Sequence, residues 1–400
     1  MIRHAIRTIF VSGLIFMALI PAPSVEAQRL RPVRRPQTFP VDRIDGIVAA
    51  ARGEEGIPGV VVAIGLPDGS TFEKAYGWFS IEDLDRLETD RILQVGSLAK
   101  QFTGAAIMRL VERSEIRLAD SIDIYIPELA PRSYGVTVSH LLTHTSGLPN
   151  YLEFSIDPWS PITHQEVLDW ILSQPISFTP GTSWEYSNVA YYLLGVIIER
   201  ISGQSYAEFL EQEFFLPLGL IETAYCGRPP ATEIPEGYLG GGGIAVPIDA
   251  LDMSVPFAAG ALCSTAEDMV RWNRKLSSGQ AVSPESYATM TTSGRLISGE
   301  LTGYGFGLNV DHVDGYSMIS HSGTIPGFNA HLLYVKEANV TVAVLTNLFP
   351  ISGNFASAIS REIAELLVPV NTGSGASGAW DWFVGSSGAA SSVPRWIVPR

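Results

Sequence analysis

The sequence predicts an α+β fold: an antiparallel sheet built from both chain ends, flanked by terminal helices and interrupted by a large, mainly helical insertion. Three observations lead there. A two-strand pattern lies near the start, a second group of strand patterns lies near the end, and helical periodicity fills the middle.

In chain order, the first pattern is a helix over residues 41–52. Residues 60–64 and 71–78 follow as two strands joined by the turn Pro67-Asp68-Gly69-Ser70, a hairpin. Leu98, Phe102, Ala105, Ala106 and Leu110 then mark one apolar helix face that continues to about Arg113, so Ser97 stands at a helix start. Gly147 and Pro149 stop a short helix that ends in the stretch 143–149. Residues 228–259 are Gly- and Pro-rich, with four glycines at 240–243, and read as irregular, either a cover over a cleft or a surface loop. Ser264 and Glu267 match a capping box ahead of Met269, Val270 and Trp272. Strands are expected over 305–310, 316–322, 330–335 and 340–345, with a closing helix over 356–367.

The ends read differently from this body. Arg3 and Arg7, an apolar run over 9–20, Pro21, Pro23 and the small-residue site Val25-Glu26-Ala27 are expected to form a signal peptide, 1–27, cleaved after Ala27. The run is shorter than the roughly 18 residues of a spanning helix, so no stable membrane span is expected after cleavage. Arg29, Arg31, Arg34 and Arg35 with Pro32 and Pro36 give a basic leader, 28–40, ahead of one domain, 41–370. Residues 371–400 form a Gly/Ser/Ala-rich tail carrying Trp380, Trp382, Phe383 and Trp396. Secretion, to a bacterial periplasm or beyond, is the expected destination. The formal charge of −15 argues against nucleic acid as a partner. Cys226 and Cys263 are the only two cysteines, which leaves either one bridge or two buried thiols.

Three motifs carry chemistry. Ser97 and Lys100 are one helical turn apart, close enough for proton traffic between hydroxyl and amine, and free N-H groups at a helix start favour developing negative charge. A serine hydroxyl needs a base, and an ordinary lysine is protonated at neutral pH, so burial or another cation must depress Lys100. Tyr186 supplies a phenol for the second half of a proton relay, expected to act as base in acylation and then to pass the proton to the leaving group, and Asn188 a group to bind a substrate amide or hold Lys100. His321-Ser322-Gly323 ends a strand and runs into Thr324. There the glycine permits close approach, and the backbone N-H groups of Ser97 and Thr324 form a candidate oxyanion site. His321 is expected to hold a substrate carboxylate or to tune Lys100 and Tyr186. His140 and His144 are four apart without the glutamate of His-Glu-x-x-His, so no metal and no cofactor are expected.

Taken with the stretch 141–149, Pro180-Gly181 ahead of Tyr186, and the segment 260–272, these motifs resemble the serine beta-lactamase and D-alanyl-D-alanine peptidase superfamily. The resemblance spans roughly 41–367 and is specifically to class C beta-lactamase-like serine hydrolases. It implies the sheet-plus-helical-insertion fold, Ser97 as the acylated nucleophile, and Lys100 and Tyr186 as the proton-handling pair. One departure bears on substrate. Beta-lactamases of this group usually carry Lys-Thr-Gly where this chain has His321, a pattern similar to related D-amino-acid peptidases and esterases. The expectation is therefore a serine hydrolase acting on a small-molecule or short-peptide amide or ester, with beta-lactam turnover weak. No oligomeric state is implied. The contrasting expectation is a non-catalytic penicillin- or peptidoglycan-binding envelope protein, which would not require the full proton-transfer set.

Overall fold

An unbroken apolar run over residues 60–64 suits a strand covered on both faces, and the strand Gly59–Gly65 is buried at every position. The computed structural model describes residues 39–150, 157–230 and 237–368. The expected signal peptide, most of the leader, residues 369–370 and the tail lie outside the described residues.

Gly59–Gly65 pairs antiparallel with Thr71–Ser80 on one side and with Val340–Thr346 on the other. That second pairing joins the two chain ends into one seven-stranded sheet. Its order is Asp85–Arg86, Thr71–Ser80, Gly59–Gly65, Val340–Thr346, Phe328–Val335, Tyr316–Ile325, Asn309–Val313. Side chains alternate between the faces. Val61, Ala63, Ala330, Leu332, Ala343 and Leu345 face a core shared with the helical insertion. His331, one position from Leu332, faces the other way and meets Ser360 of the closing helix Phe355–Leu367. The antiparallel sheet with terminal helices and helical insertion is thus the observed α+β architecture.

Two helices build the insertion's centre. Asn188–Ser202 is buried continuously from Val189 to Ile198, as a helix apolar all round must be. Ala99–Glu112 is buried along most of its length, with Phe102 stacked on Trp272 at a ring separation of 3.9 Å. A small sheet, Leu93–Gln94 with Leu262–Ser264 and Ala224–Tyr225, lies beside the start of this helix. Cys226 and Cys263 form a disulfide across it, with Cα atoms 5.1 Å apart.

Four local expectations are corrected. The strand expected over 305–310 is Asn309–Val313 instead, because Gly307 takes φ +76° and Phe306 N-H donates to Met290 O, which turns 305–308 into a loop. The strand expected to end at Ser322 continues to Ile325. The helix Ala266–Ser277 is capped by Thr265, whose side chain accepts from Asp268 N, while the Ser264 hydroxyl is engaged by Thr223 at 2.8 Å. The irregular stretch 228–259 contains a hairpin, Gly237–Gly241 with Ile244–Ile248, whose first strand pairs parallel with Leu348–Pro350. Among the described residues no helix is long and apolar enough to cross a membrane.

Candidate active site

Ser97 is placed by contacts that only glycine permits. Gly96 has φ +52° and opens the tight turn Gly96–Leu98 that leads into Ala99–Glu112. A Cβ on Gly323 would sit 1.9 Å from Val95 O and 3.4 Å from Ser97 N, so the strand Tyr316–Ile325 runs directly against this turn. Thr324 N lies 3.1 Å from where a Gly96 Cβ would stand. The strand's other neighbour pairs with it only as far as Ser320, so among the described residues no strand covers its outer edge at Gly323 and Thr324. The backbone nitrogens of Ser97 and Thr324 therefore both lie at the contact between turn and strand.

Ser97 is half-buried, whereas Lys100 is fully buried. The Lys100 Nζ lies 3.0 Å from Ser97 Oγ, 2.8 Å from Asn188 Oδ1 and 2.8 Å from Ala259 O. It also stands 4.8 Å from the centre of the Tyr186 ring. Burial pushes its pKa well below the ordinary lysine value, because an ammonium enclosed by protein loses its hydration. In its neutral form the amine has two hydrogens and one lone pair. Asn188 Oδ1 and Ala259 O accept the two hydrogens, and the lone pair is left for the Ser97 hydroxyl proton.

Tyr186 and Asn188 arrive together from the start of the helix Asn188–Ser202. Ser187 is its N-cap, accepting from Ala190 N at 3.2 Å, and Asn188 N-H donates to Asn150 Oδ1 at 3.3 Å. The Tyr186 ring stands beside the Lys100 amine, and burial pushes its phenol up, with the nearby Ser97 hydroxyl acting in the opposite direction.

His321 is buried on the same sheet face as Leu332, which it opposes. Its Nδ1 lies 2.6 Å from Ser322 O and its Nε2 2.8 Å from Tyr304 OH. A carbonyl only accepts, so Nδ1 carries the proton and Nε2 accepts from the phenol. Burial, and to a lesser degree the charge Lys100 carries when it is protonated, push this imidazole down to about 3, so it is neutral. Ser322 and Thr324 alternate to the opposite face, opposite His331 and Asn329, and the Thr324 hydroxyl accepts from Asn329 Nδ2 at 3.0 Å. What these two bring to the serine side is backbone.

The structure thus gathers Ser97, Lys100, Tyr186, Asn188, the His321 ring and the Gly323–Thr324 backbone. It adds groups the sequence reading did not single out for the site: Ala259 O, Tyr304, Tyr191 and Asn150. A backbone carbonyl has no sequence signature, and Tyr304 lies in a Gly-rich loop resembling many others. His140 and His144, the pair weighed for metal, both direct Nδ1 at backbone amides, Thr137 N and Ser187 N, each at 3.1 Å.

Similarity to known proteins follows the same segments. The chain is 29% identical over 300 residues to a penicillin-binding protein of Bacillus subtilis (strain 168), covering 69% of this chain and 65% of that protein. It is 26% identical over 315 residues to a D-aminopeptidase of Gluconobacter oxydans (strain 621H), covering 76% of this chain and 58% of the relative. The chain therefore spans less than two thirds of the length of either. Among solved structures, D-amino acid amidase from Ochrobactrum anthropi SV3 superposes with a TM-score of 0.69 at 25% identity, over 81% of this chain and 96% of that one. The profile of the Beta-lactamase family matches residues 44–365, from the first helix through the sheet and the Ser97 turn to the closing helix, and the chain belongs to that family.

Proposed function

We propose that this protein is a serine hydrolase that cleaves an amide or ester through an acyl-enzyme on Ser97. The observation that carries the reading is the buried Lys100, depressed by desolvation and held by two acceptors so that its remaining valence meets Ser97 Oγ at 3.0 Å. Ser97 Oγ attacks the carbonyl carbon while its proton passes to the Lys100 amine. The backbone N-H groups of Ser97 and Thr324 receive the oxyanion. On collapse of the tetrahedral intermediate, the Tyr186 phenol gives its proton to the leaving nitrogen or oxygen and is reprotonated by the Lys100 ammonium. Water then releases the acyl group by the reverse sequence. Because burial raises the phenol and lowers the amine, Lys100 serves as the resting base and Tyr186 as the proton donor.

Substrate class follows from His321. A neutral imidazole with both nitrogens engaged offers no cation to a substrate carboxylate, so D-aminoacyl amides, short D-peptides with an uncharged end, and small esters are preferred over carboxylate-terminated peptides and beta-lactams. The D-aminopeptidase and D-amino acid amidase relatives support that order. The reading includes a class C-like site, residues 41–370 as the catalytic domain, and export by a signal peptide cleaved after Ala27, with leader 28–40 and tail 371–400 outside the domain. The deciding experiment is parallel turnover of a D-phenylalanine amide, a D-Ala-D-Ala peptide, a p-nitrophenyl ester and a chromogenic cephalosporin by the parent and Ser97→Ala, with intact mass recorded. An acyl adduct on the parent alone, with amide and ester turnover above the other two, is the expected result. Unchanged turnover in Ser97→Ala removes the reading.

A further inference from the structure

His144 has no part in the chemistry above, yet it lies at its centre. It is fully buried, and it holds φ +58°, a backbone region that a non-glycine residue adopts only when its surroundings enforce it. Two bonds explain the enforcement. His144 O accepts from Glu185 N-H at 3.0 Å, and His144 Nδ1 accepts from Ser187 N-H at 3.1 Å. Glu185 and Ser187 flank Tyr186, so the backbone amides on both sides of the phenol are tied to one residue. The imidazole also packs on the Tyr186 ring, with centres 4.5 Å apart, and on the rings of Tyr304 at 4.6 Å and Tyr191 at 5.0 Å.

The bond to Ser187 fixes the tautomer. A backbone N-H only donates, so Nδ1 is the acceptor and the proton sits on Nε2. Among the described residues that Nε2 has no hydrogen-bond partner, although it is buried. Leaving a buried donor unmatched is unfavourable, and a residue chosen only to fill space among three tyrosines would not need to be polar. What the imidazole supplies and an apolar ring does not is the acceptor at the δ position.

We propose that His144 is a positioning residue for Tyr186: by accepting from Ser187 N-H with its side chain and from Glu185 N-H with its carbonyl, it holds the phenol ring beside the Lys100 amine. The inference rests on the proposed acyl transfer. It assigns His144 an action through Tyr186 and no contact with substrate.

The test uses side chains that keep or lose the δ acceptor. Asparagine tolerates positive φ and presents Oδ1 near the place of Nδ1, whereas glutamine moves its carbonyl one bond further out. With p-nitrophenyl acetate as the probe, His144→Asn is expected to keep kcat within about 3-fold of the parent. His144→Gln and His144→Ala are expected to lower kcat by roughly 10²-fold with KM little changed, the order of loss that misplacing a catalytic group produces. In a Tyr186→Phe background, His144→Gln is expected to add little further loss, since the group it positions is already absent. A folded His144→Asn that loses kcat more than 10-fold overturns the proposal, as does a His144→Gln that retains the parent kcat or a loss that multiplies in full with that of Tyr186→Phe. Because His144→Asn suits the local backbone, it decides the matter even if the other two do not fold. Turnover by the parent with none by Ser97→Ala must be established first. Its absence would remove the acyl-transfer reading itself, whereas the outcomes above concern His144 alone.

Discussion

Among the described residues two serines are held against a buried nitrogen base, and they differ in access and in what the base's lone pair meets. On the helical side, Ser97 Oγ faces Lys100 Nζ at 3.0 Å. On the opposite face of the same sheet, Ser360 Oγ faces His331 Nδ1 at 2.5 Å. By distance alone the second pair is the tighter. Ser360, however, is fully buried and its hydroxyl donates to Ser357 O at 2.9 Å, so its proton is committed away from the imidazole and His331 must donate to it. Ser97 is half-exposed, and Lys100 has its hydrogens satisfied elsewhere. A serine becomes a nucleophile when a substrate has access and the base's lone pair has no other occupant. Proximity does not suffice.

The largest expected effect breaks the comparison outright. Ser97→Ala should lower ester kcat by on the order of 10³-fold or more, since removing a nucleophile disables the unit that acts with it. Steady-state turnover with active-site titration checks this. Residual turnover near the parent's would make the two serines equivalent. Lys100→Met comes next, with an expected loss of about 10²- to 10⁴-fold, the range of a positioned proton-transfer group. Its readout is the rate of serine acylation by a fluorophosphonate, and an unchanged rate would assign the base elsewhere.

The two imidazoles sharpen the comparison through pH. Burial pushes both His321 and His331 down to about 3, from an ordinary 6.5. The unfolded chain therefore binds more protons than the folded one between those values, so the contribution of each histidine to stability is full above pH 6.5 and is lost as pH falls toward 3. Thermal melts from pH 7 to pH 4 should show falling stability. His321→Gln and His331→Gln should each reduce the slope, by an amount equivalent to ~1 kcal/mol or more over that window. Slopes equal to the parent's would mean that neither imidazole is held neutral by the fold.

How much of this contrast the sequence already carried differs between the two sites. Ser97 and Lys100 are legible because one helical turn separates them, and Tyr186 and Asn188 because a phenol and an amide two residues apart complete the chemistry that pair needs. The sheet is legible from apolar runs at both chain ends. Where expectation failed, a neighbour in space decided the outcome. Gly305 and Gly307 interrupt an apolar alternation that otherwise reads as strand, and Thr265 outcompetes the adjacent Ser264 for the cap because Thr223 engages the Ser264 hydroxyl. Ala259 O reaches Lys100 across 159 residues of chain and Tyr304 meets His321 across 17, and no local spacing encodes either contact or the burial that depresses Lys100. The Ser360–His331 pair was equally invisible, for the same reason.

Ser360→Ala gives the smallest expected effect and the most direct check on what separates the two sites. Removing the hydroxyl leaves His331 Nδ1-H without its acceptor and takes from Ser357 O its side-chain donor, while the backbone of Phe355–Leu367 is unchanged. The expected cost is about 1 kcal/mol of stability, with kcat for the ester within 2-fold of the parent. Urea melts and steady-state kinetics on one preparation read both quantities. A loss of turnover beyond that would mean that the closing helix transmits strain through His331 to the neighbouring strand and so to Gly323 and the serine turn. The two faces of the sheet would then be one functional unit. Retained turnover with lost stability instead identifies Ser360–His331 as a latch between helix and sheet, and leaves acyl transfer to the pair that keeps an open lone pair and a path to solvent.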